Sequence, residues 1–330
     1  MKVLVTGATG FLGAYVVPEL SSRGYEVTSM VHYRKLTPDL EKTARTKVAD
    51  LTDEASLVDA TKGMDAVVHL AAYYTFFGKR ELYETVTVNG TRSLIKACLA
   101  NGVRRFVYCS STEAMGPVES PPADESTPLR PSSEYGRSKA DAERVVRESS
   151  AQGIEWTIIR PSGIYGPGNV DDVAFWFIVS FAKNSLATRF LVGGGGNLVQ
   201  FVHVRDAARA FVLALDNPRA SAGQTYIVSD DRAVSYRELY SIMAELCGRG
   251  PPRISVPKAM AKAMIAPVEA INAITRRSAF MWHLSTVDAV TSDRSFSSAK
   301  AARELGYGPA FGLKEGLTET LDWYRAEGYL

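Results

Sequence analysis

Residues 1–13, MKVLVTGATGFLG, constrain what this chain can fold into more than any other stretch. Val3, Leu4 and Val5 form an apolar run long enough for a strand buried on both faces, as a parallel sheet requires. Thr6-Gly7 ends the run, and glycines at 7, 10 and 13 lead into a helical pattern over residues 13–22. Strand, glycine turn and helix together are the setting in which such spacing cradles a pyrophosphate. Gly7 permits the tight turn, Gly10 lets backbone N–H groups approach, and Gly13 lets helix lie close on strand. The helix start adds unpaired N–H donors and partial positive charge. An ordinary strand-turn-helix corner uses the same glycines, but their place at the head of a long α/β pattern favours a dinucleotide site.

Residues 25–31 read as a second apolar strand and complete a β-α-β unit. An acidic residue at its end would hold the ribose hydroxyls of NAD. The sequence reads Val31-His32-Tyr33-Arg34-Lys35 instead, a cationic cluster suited to a 2′-phosphate. This favours NADP and leaves NAD open; a solvated basic loop would read the same way. Residues 47–50 read as a third strand, followed by Leu51 and a capped helix from Thr52. Residues 65–70 (DAVVHL) read as a fourth, ending in Ala71-Ala72, small enough for backbone to pass close to a cofactor. Tyr73, Tyr74, Thr75, Phe76 and Phe77 make an aromatic patch at the carboxyl edge where open α/β sheets bind ligands. Core packing of these rings is the equal alternative.

Residues 82–99 predict a long helix carrying Asn89, and 105–109 (RFVYC) a fifth strand followed directly by Ser110-Ser111-Thr112. The proline-rich residues 116–132 predict a loop. A helix over 133–152 then opens with YGRSK (135–139). Tyr135 and Lys139, four apart, share one helix face. A free phenol titrates near ~10, and an ammonium beside it favours the phenolate, bringing proton transfer toward neutral pH. The pair alone is common on helix surfaces. With the glycine turn and the serine pair it points to a reacting site.

Composition sets outer bounds. Hydrophobic content of 46%, charged content of 22% and a net charge of +2 are those of a globular protein. A chain of 330 residues exceeds the ~250–300 at which one core stops growing, so a second lobe is expected. Interspersed charges leave no footprint for nucleic acid. Cys98, Cys109 and Cys247 show neither pairing nor metal-ligand spacing, so reduced thiols, no metal and a cytoplasmic location are expected. No signal peptide is read at the start, and no uncharged run reaches the ~20 residues of a spanning helix.

On these residues the chain resembles the extended short-chain dehydrogenase/reductase superfamily. The motifs that carry the resemblance are TGATGFLG (6–13), DL (50–51), HLAA (69–72), VNGT (88–91), SST (110–112), YGRSK (135–139) and RPSGIYGPG (160–168), in order. The resemblance implies an α/β fold, a Rossmann-like doubly wound parallel sheet with a smaller, mostly helical C-terminal substrate lobe. It implies Tyr135 as the proton donor or acceptor, Ser111 as the hydroxyl on the reacting oxygen, and Lys139 as the group that holds the nicotinamide ribose and lowers the tyrosine pKa. Phe11 and Leu12, with Gly7, Gly10 and Gly13, would meet the pyrophosphate, and Asp50 and Leu51 the adenine. Leu70, Ala71, Ala72 and Asn89 would line the middle of the cofactor, Pro161 and Ile164 its carboxamide, and His32, Arg34 and Lys35 its 2′-phosphate.

Beyond that, residues 158–165 read as a sixth strand, 171–183 as an apolar helix, 193–196 as a loop, 198–204 as a strand, 205–215 as a helix and 223–229 as a strand. The remainder reads as helices and loops. Residues 1–165, with 201–229 returning, are expected to form the dinucleotide-binding domain, and 166–200 with 230–330 the substrate lobe. Sugar-nucleotide epimerases and dehydratases of this superfamily carry Arg-Asp-Phe where this chain has Val199-Gln200-Phe201, and often a tyrosine where it has Met115. Losing that arginine removes a charge-assisted contact of about 1.5–3 kcal/mol to a diphosphate.

YCSSTEAMGP (108–117) and residues 193–214 and 295–307 resemble instead the 3β-hydroxysteroid dehydrogenase branch, including sterol-4α-carboxylate 3-dehydrogenases (decarboxylating). Flavonoid and aldehyde reductases are the next neighbours. The expectation is an NAD(P)-dependent oxidoreductase for an apolar alcohol or ketone; the alternative is a nucleotide-sugar epimerase or dehydratase that holds NAD tightly. Candidate substrate residues are Tyr73, Phe76, Glu113, Met115, Trp176 and Gln200. Residues 257–283 stand where that branch bears a membrane-associating segment. Lys258, Lys262, Glu269, Arg276 and Arg277 interrupt the segment and Pro267 breaks it, so it cannot span. A lobe helix packed on the core is favoured over a face lying on a membrane. The superfamily's habit of pairing through helices at 82–99 and 133–152 implies a homodimer.

Overall fold

The computed structural model describes residues 1–33, 36–75, 79–170, 172–275 and 283–330. Arg34, Lys35, Phe76, Phe77, Arg276 and Arg277 lie outside the described residues. Runs bounded by turns, apolar except in the exposed edge strand β3, give the strands β1 (Lys2–Thr6), β2 (Glu26–Val31), β3 (Arg45–Val48), β4 (Ala66–His69), β5 (Arg105–Cys109) and β6 (Glu155–Pro161). Shorter strands follow: β7 (Gly163–Tyr165), β8 (Phe190–Val192), β9 (Leu198–Val199), β10 (Phe201–His203), β11 (Gln224–Val228), β12 (Val234–Ser235) and β13 (Ile254–Val256). Seven of them form one parallel sheet in the order β11-β6-β5-β4-β1-β2-β3. The order reverses between β1 and β4, and the crevice beyond their carboxyl ends is where such sheets take a ligand.

Alternation along β1 divides the core into two layers. Val3 and Val5 face the helices α1 (Gly13–Ser22) and α6 (Val204–Asp216), whereas Leu4 faces α2 (Glu54–Thr61), α3 (Gly90–Ala100) and α4 (Glu134–Glu148). All three β1 side chains are fully buried, so the apolar run covers both faces as a doubly wound sheet demands. A separate core joins α5 (Val173–Ala182), α7 (Tyr236–Leu246) and α9 (Leu313–Ala326) through Phe175, Ile178, Tyr240, Met243, Leu317 and Tyr324. The helix α8 (Lys258–Thr275) packs through Ala261 and Ile265 in a small cluster of its own with Val256 and Val287.

Several elements differ from expectation for local reasons. Residues 158–165 are two strands, because β6 ends at Pro161 on β11 while β7 pairs with β10 instead. Residues 198–204 also split, as Gln200 turns inward between β9 and β10 to bond Ser229, Asp230 and Phe296. The third strand starts earlier, at Arg45. The helix expected over 82–99 contains a π-helical stretch, Tyr83–Asn89, before α3. The region after β11 contributes the short strands β12 and β13 as well as helices. Pro267 lies inside α8 and does not end it.

Candidate active site

The glycine turn closes against β4. Gly7 has φ +69°, and a Cβ there would stand 2.7 Å from the Ala71 amide nitrogen. A Cβ on Gly13 would stand 2.2 Å from the Gly7 carbonyl oxygen, so only glycine lets α1 begin this close to the strand exit. Phe11 and Leu12 lead into α1, where the Ala14 N–H bonds the Gly10 carbonyl and the Val16 N–H the Leu12 carbonyl, both at 3.0 Å. On the far side, the Tyr15 hydroxyl donates to the Pro167 carbonyl at 2.8 Å, laying the 166–168 loop over Phe11. A side-chain-free turn aimed by a helix start fits a dinucleotide pyrophosphate.

Proton-transfer groups meet at the same edge. Ser111 leaves β5 and caps a short turn, accepting from the Glu113 N–H at 3.1 Å. Tyr135 sits in the first turn of α4, whose start is fixed by Ser133 accepting from the Gly136 N–H at 3.0 Å. A Cβ at Gly136 would lie 2.2 Å from the Glu113 carbonyl oxygen, so this glycine is what brings the helix onto the serine turn. The Ser111 hydroxyl stands near the Tyr135 phenol and acts to lower its pKa. Lys139, one turn on and buried, donates to the Cys109 carbonyl at 2.7 Å, with Nζ 5.8 Å from the Tyr135 ring centre.

A parallel-sheet edge carrying a glycine turn and a Ser-Tyr-Lys set matches one family model over residues 3–229, that of the NAD dependent epimerase/dehydratase family. The chain belongs to that family. The 3-beta-hydroxysteroid dehydrogenase of Mycolicibacterium neoaurum is 32% identical, with 98% of this chain and 91% of that protein covered. Sterol demethylase protein B of Methylococcus capsulatus is 29% identical, with 100% of both covered. Among solved structures, a double mutant of a dTDP-glucose 4,6-dehydratase from Streptomyces venezuelae with NAD bound has a TM-score of 0.77 at 26% identity, covering 98% of this chain and 97% of that one.

Electrostatics in this epimerase/dehydratase site depart from expectation at one point. Burial, reinforced by Cys109, Asp172 and Glu113, pushes the Tyr135 phenol well above its ordinary range, with the Ser111 hydroxyl opposing. Lys139 is itself pushed down by burial. Lys139 does not figure among the main influences on the phenol, and its ammonium donates to the Cys109 carbonyl.

Behind α4, Glu143 is clamped by Ser110 (2.6 Å), by Arg160 (2.8 and 2.7 Å) and by Arg147 (3.2 Å), tying the ends of β5 and β6 to the helix that carries Tyr135.

The other predicted residues fall into three groups. Leu51 is buried against Gly90 beside the exposed Asn89; Leu70, Ala71 and Ala72 line the exit of β4; Pro161 and Ile164 lie on β6 and β7. His32 lies 3.0 Å from the Asp50 carboxylate, whose pKa is held down by the Thr52 N–H first and by His32 among lesser causes. Among the substrate candidates, Glu113 pairs with Arg294, and Trp176 is 43% exposed, packed on Phe175.

Three substrate candidates are committed elsewhere. Met115 is buried among Val118, Ala123, Ile227 and Phe296, and Tyr73 packs on Tyr83 at 4.9 Å. Gln200, expected to meet substrate, is instead a structural clamp: its amide bonds Ser229, Asp230 and the Phe296 N–H.

Tyr74, not singled out from the patch, packs edge-on against Tyr135 at 5.0 Å and donates to Asp172 at 2.7 Å. Gly136, Asp172 and Arg294 were not singled out either. Gly136 alone had a visible signal, its place inside YGRSK.

Proposed function

We propose that this chain is an NAD(P)-dependent oxidoreductase interconverting a secondary alcohol and a ketone on an apolar, 3β-hydroxysteroid- or sterol-like substrate. The observation that carries the reading is the gathering of Ser111, Tyr135 and Lys139 beyond β5, with Lys139 Nζ 5.8 Å from the Tyr135 ring centre and bonded to the Cys109 carbonyl. When bound, the nicotinamide supplies or accepts the hydride. Tyr135 passes the proton to or from the substrate oxygen, and Ser111 holds that oxygen by a hydrogen bond. A protonated phenol donates to a developing alkoxide when a ketone is reduced, and a phenolate accepts the proton when the alcohol is oxidised. Lys139 fixes the Cys109-Ser110-Ser111 backbone and faces the ribose. Gly7, Gly10, Phe11, Leu12 and Gly13 hold the pyrophosphate, Asp50 and Leu51 the adenine, and Leu70 to Ala72 with Asn89, Pro161 and Ile164 the remainder.

Residues 166–200 and 230–330 form the substrate lobe in this reading, with Tyr74 and Trp176 offering aromatic surface at its mouth. The Mycolicibacterium and Methylococcus relatives, named for steroid and sterol chemistry, support the substrate class. NADP preference rests on His32, Arg34 and Lys35 and on the absence of an acid at the end of β2; the Asp50 carboxylate takes up His32, so Arg34 and Lys35 carry the preference. We also propose a homodimer through α3 and α4. Peripheral membrane contact finds support in the exposed Met260, Met264 and Ile271 of α8; no described helix is long and apolar enough to cross a membrane.

A thermal-shift grid crossing NAD and NADP with 3β-hydroxysteroids, flavonoids and nucleotide sugars tests the reading, since a ligand of the folded state raises its melting temperature. The largest rise should come from NADP with a steroid. A rise with nucleotide sugars alone, on protein purified with NAD already bound, would favour the epimerase/dehydratase chemistry of the Streptomyces neighbour instead.

A further inference from the structure

Thr6 and His69 are register partners at the carboxyl ends of β1 and β4, the two strands between which the sheet order reverses. His69 is fully buried, flanked by the Phe106 and Tyr108 rings at 5.8 and 5.6 Å. Its Nδ1 lies 2.6 Å from Thr6 Oγ1 and its Nε2 3.0 Å from Thr91 Oγ1.

Only one arrangement of protons satisfies these contacts. The Thr91 hydroxyl donates to the Thr87 carbonyl at 2.6 Å, since a carbonyl only accepts. Thr91 Oγ1 therefore accepts from Nε2, which must carry the ring proton. Burial first, then the charge of Lys139 on α4, holds the His69 pKa down to about 3, so the ring is neutral and Nδ1 is bare. Nδ1 accepts from the Thr6 hydroxyl, whose oxygen in turn accepts the Ala71 N–H at 3.2 Å. The hydrogen bonds run in one direction from the segment after β4, through β1 and the ring, into the helix.

Each end of this relay touches the cofactor cleft. Ala71 N is the atom that a side chain on Gly7 would strike at 2.7 Å. At the other end, Thr87 lies in the π-helical stretch that closes with Asn89, and its hydroxyl accepts from the Tyr73 N–H at 3.1 Å.

We propose that His69 is a positioning residue for the dinucleotide: by bridging Thr6 and Thr91 it fixes the separation of the glycine turn, Ala71 and the Asn89-bearing helix. The inference rests on the cofactor reading above, and one readout is chosen to be independent of it. Ring ¹⁵N NMR of the cofactor-free protein resolves four histidines, His32, His69, His203 and His283, and His69→Gln assigns the relevant one. The expected signature is an Nε2–H tautomer that does not titrate between about pH 5 and pH 8. An Nδ1–H tautomer, or titration near neutrality, overturns the relay.

Calorimetric NAD and NADP binding supplies the second readout. His69→Leu and Thr91→Val should each weaken binding about tenfold, with circular dichroism unchanged. His69→Gln, whose amide still donates toward Thr91, should regain part of the loss. Should His69→Leu fail to fold, Thr91→Val and His69→Gln carry the comparison. Wild-type affinity in Thr91→Val refutes the positioning role. Wild-type protein that binds neither dinucleotide refutes the cofactor reading and this inference together, while the tautomer still reports whether the relay exists.

Discussion

Along the carboxyl edge of the large sheet, backbone meets backbone. Gly7 packs on Ala71, Gly13 on Gly7, and Gly136 on Glu113, each with no room for a methyl group. In the region after β11 the strands shrink to two or three residues, and α8 turns Met260, Met264 and Ile271 to solvent at 49%, 60% and 59% exposure. The first region is specified atom by atom, because close approach and hydrogen-bond direction leave one solution. The second is specified by volume and polarity, which many sequences satisfy. Under the proposed function, the site that needs fixed geometry sits on the first region and the substrate lobe on the second.

Substitutions should expose that difference in tolerance. Glu143→Ala should cost most, about 3–5 kcal/mol in denaturant unfolding, since it strands the buried Arg160 without a partner. Gly13→Ala should cost about 1–3 kcal/mol through overpacking and abolish dinucleotide binding measured by calorimetry. Little effect of either would mean that the edge is looser than its contacts indicate.

At the junction of the two regions lies Asp230, whose pKa burial raises to about 8. Its folded value exceeds the unfolded ~3.9, so its contribution to stability is fully present below about pH 4 and is lost as pH rises through about 8. Asp230→Asn should therefore gain on wild type as pH rises, with a clear increase in melting temperature at alkaline pH and little in acid. An equal shift at all pH values would contradict this. Smallest of all, Met264→Gln on α8 should move stability by less than about 0.5 kcal/mol.

Legibility in the sequence follows the same divide. TGATGFLG, the β1 run and YGRSK could be read directly, because each encodes a local backbone requirement, and the sheet and the Ser111-Tyr135-Lys139 set follow from them. The division of 158–165 at Pro161 depends on partners far along the chain, β11 for β6 and β10 for β7, which the local pattern does not show. The π-helical stretch keeps the apolar spacing of an ordinary helix and left no mark. Arg294 meets Glu113 across 181 positions and Asp172 meets Tyr74 across 98, so no spacing announces either pair. His69 was visible as one letter of HLAA, while its role needed the positions of Thr6 and Thr91.

The central claim is that Tyr135 passes the proton in a nicotinamide-linked redox reaction. Its most direct test is the turnover of Tyr135→Phe with a 3β-hydroxysteroid or its ketone, read alongside dinucleotide affinity. The account predicts a loss of at least ~10²-fold in kcat with cofactor Kd unchanged; wild-type turnover in the phenylalanine variant would contradict it.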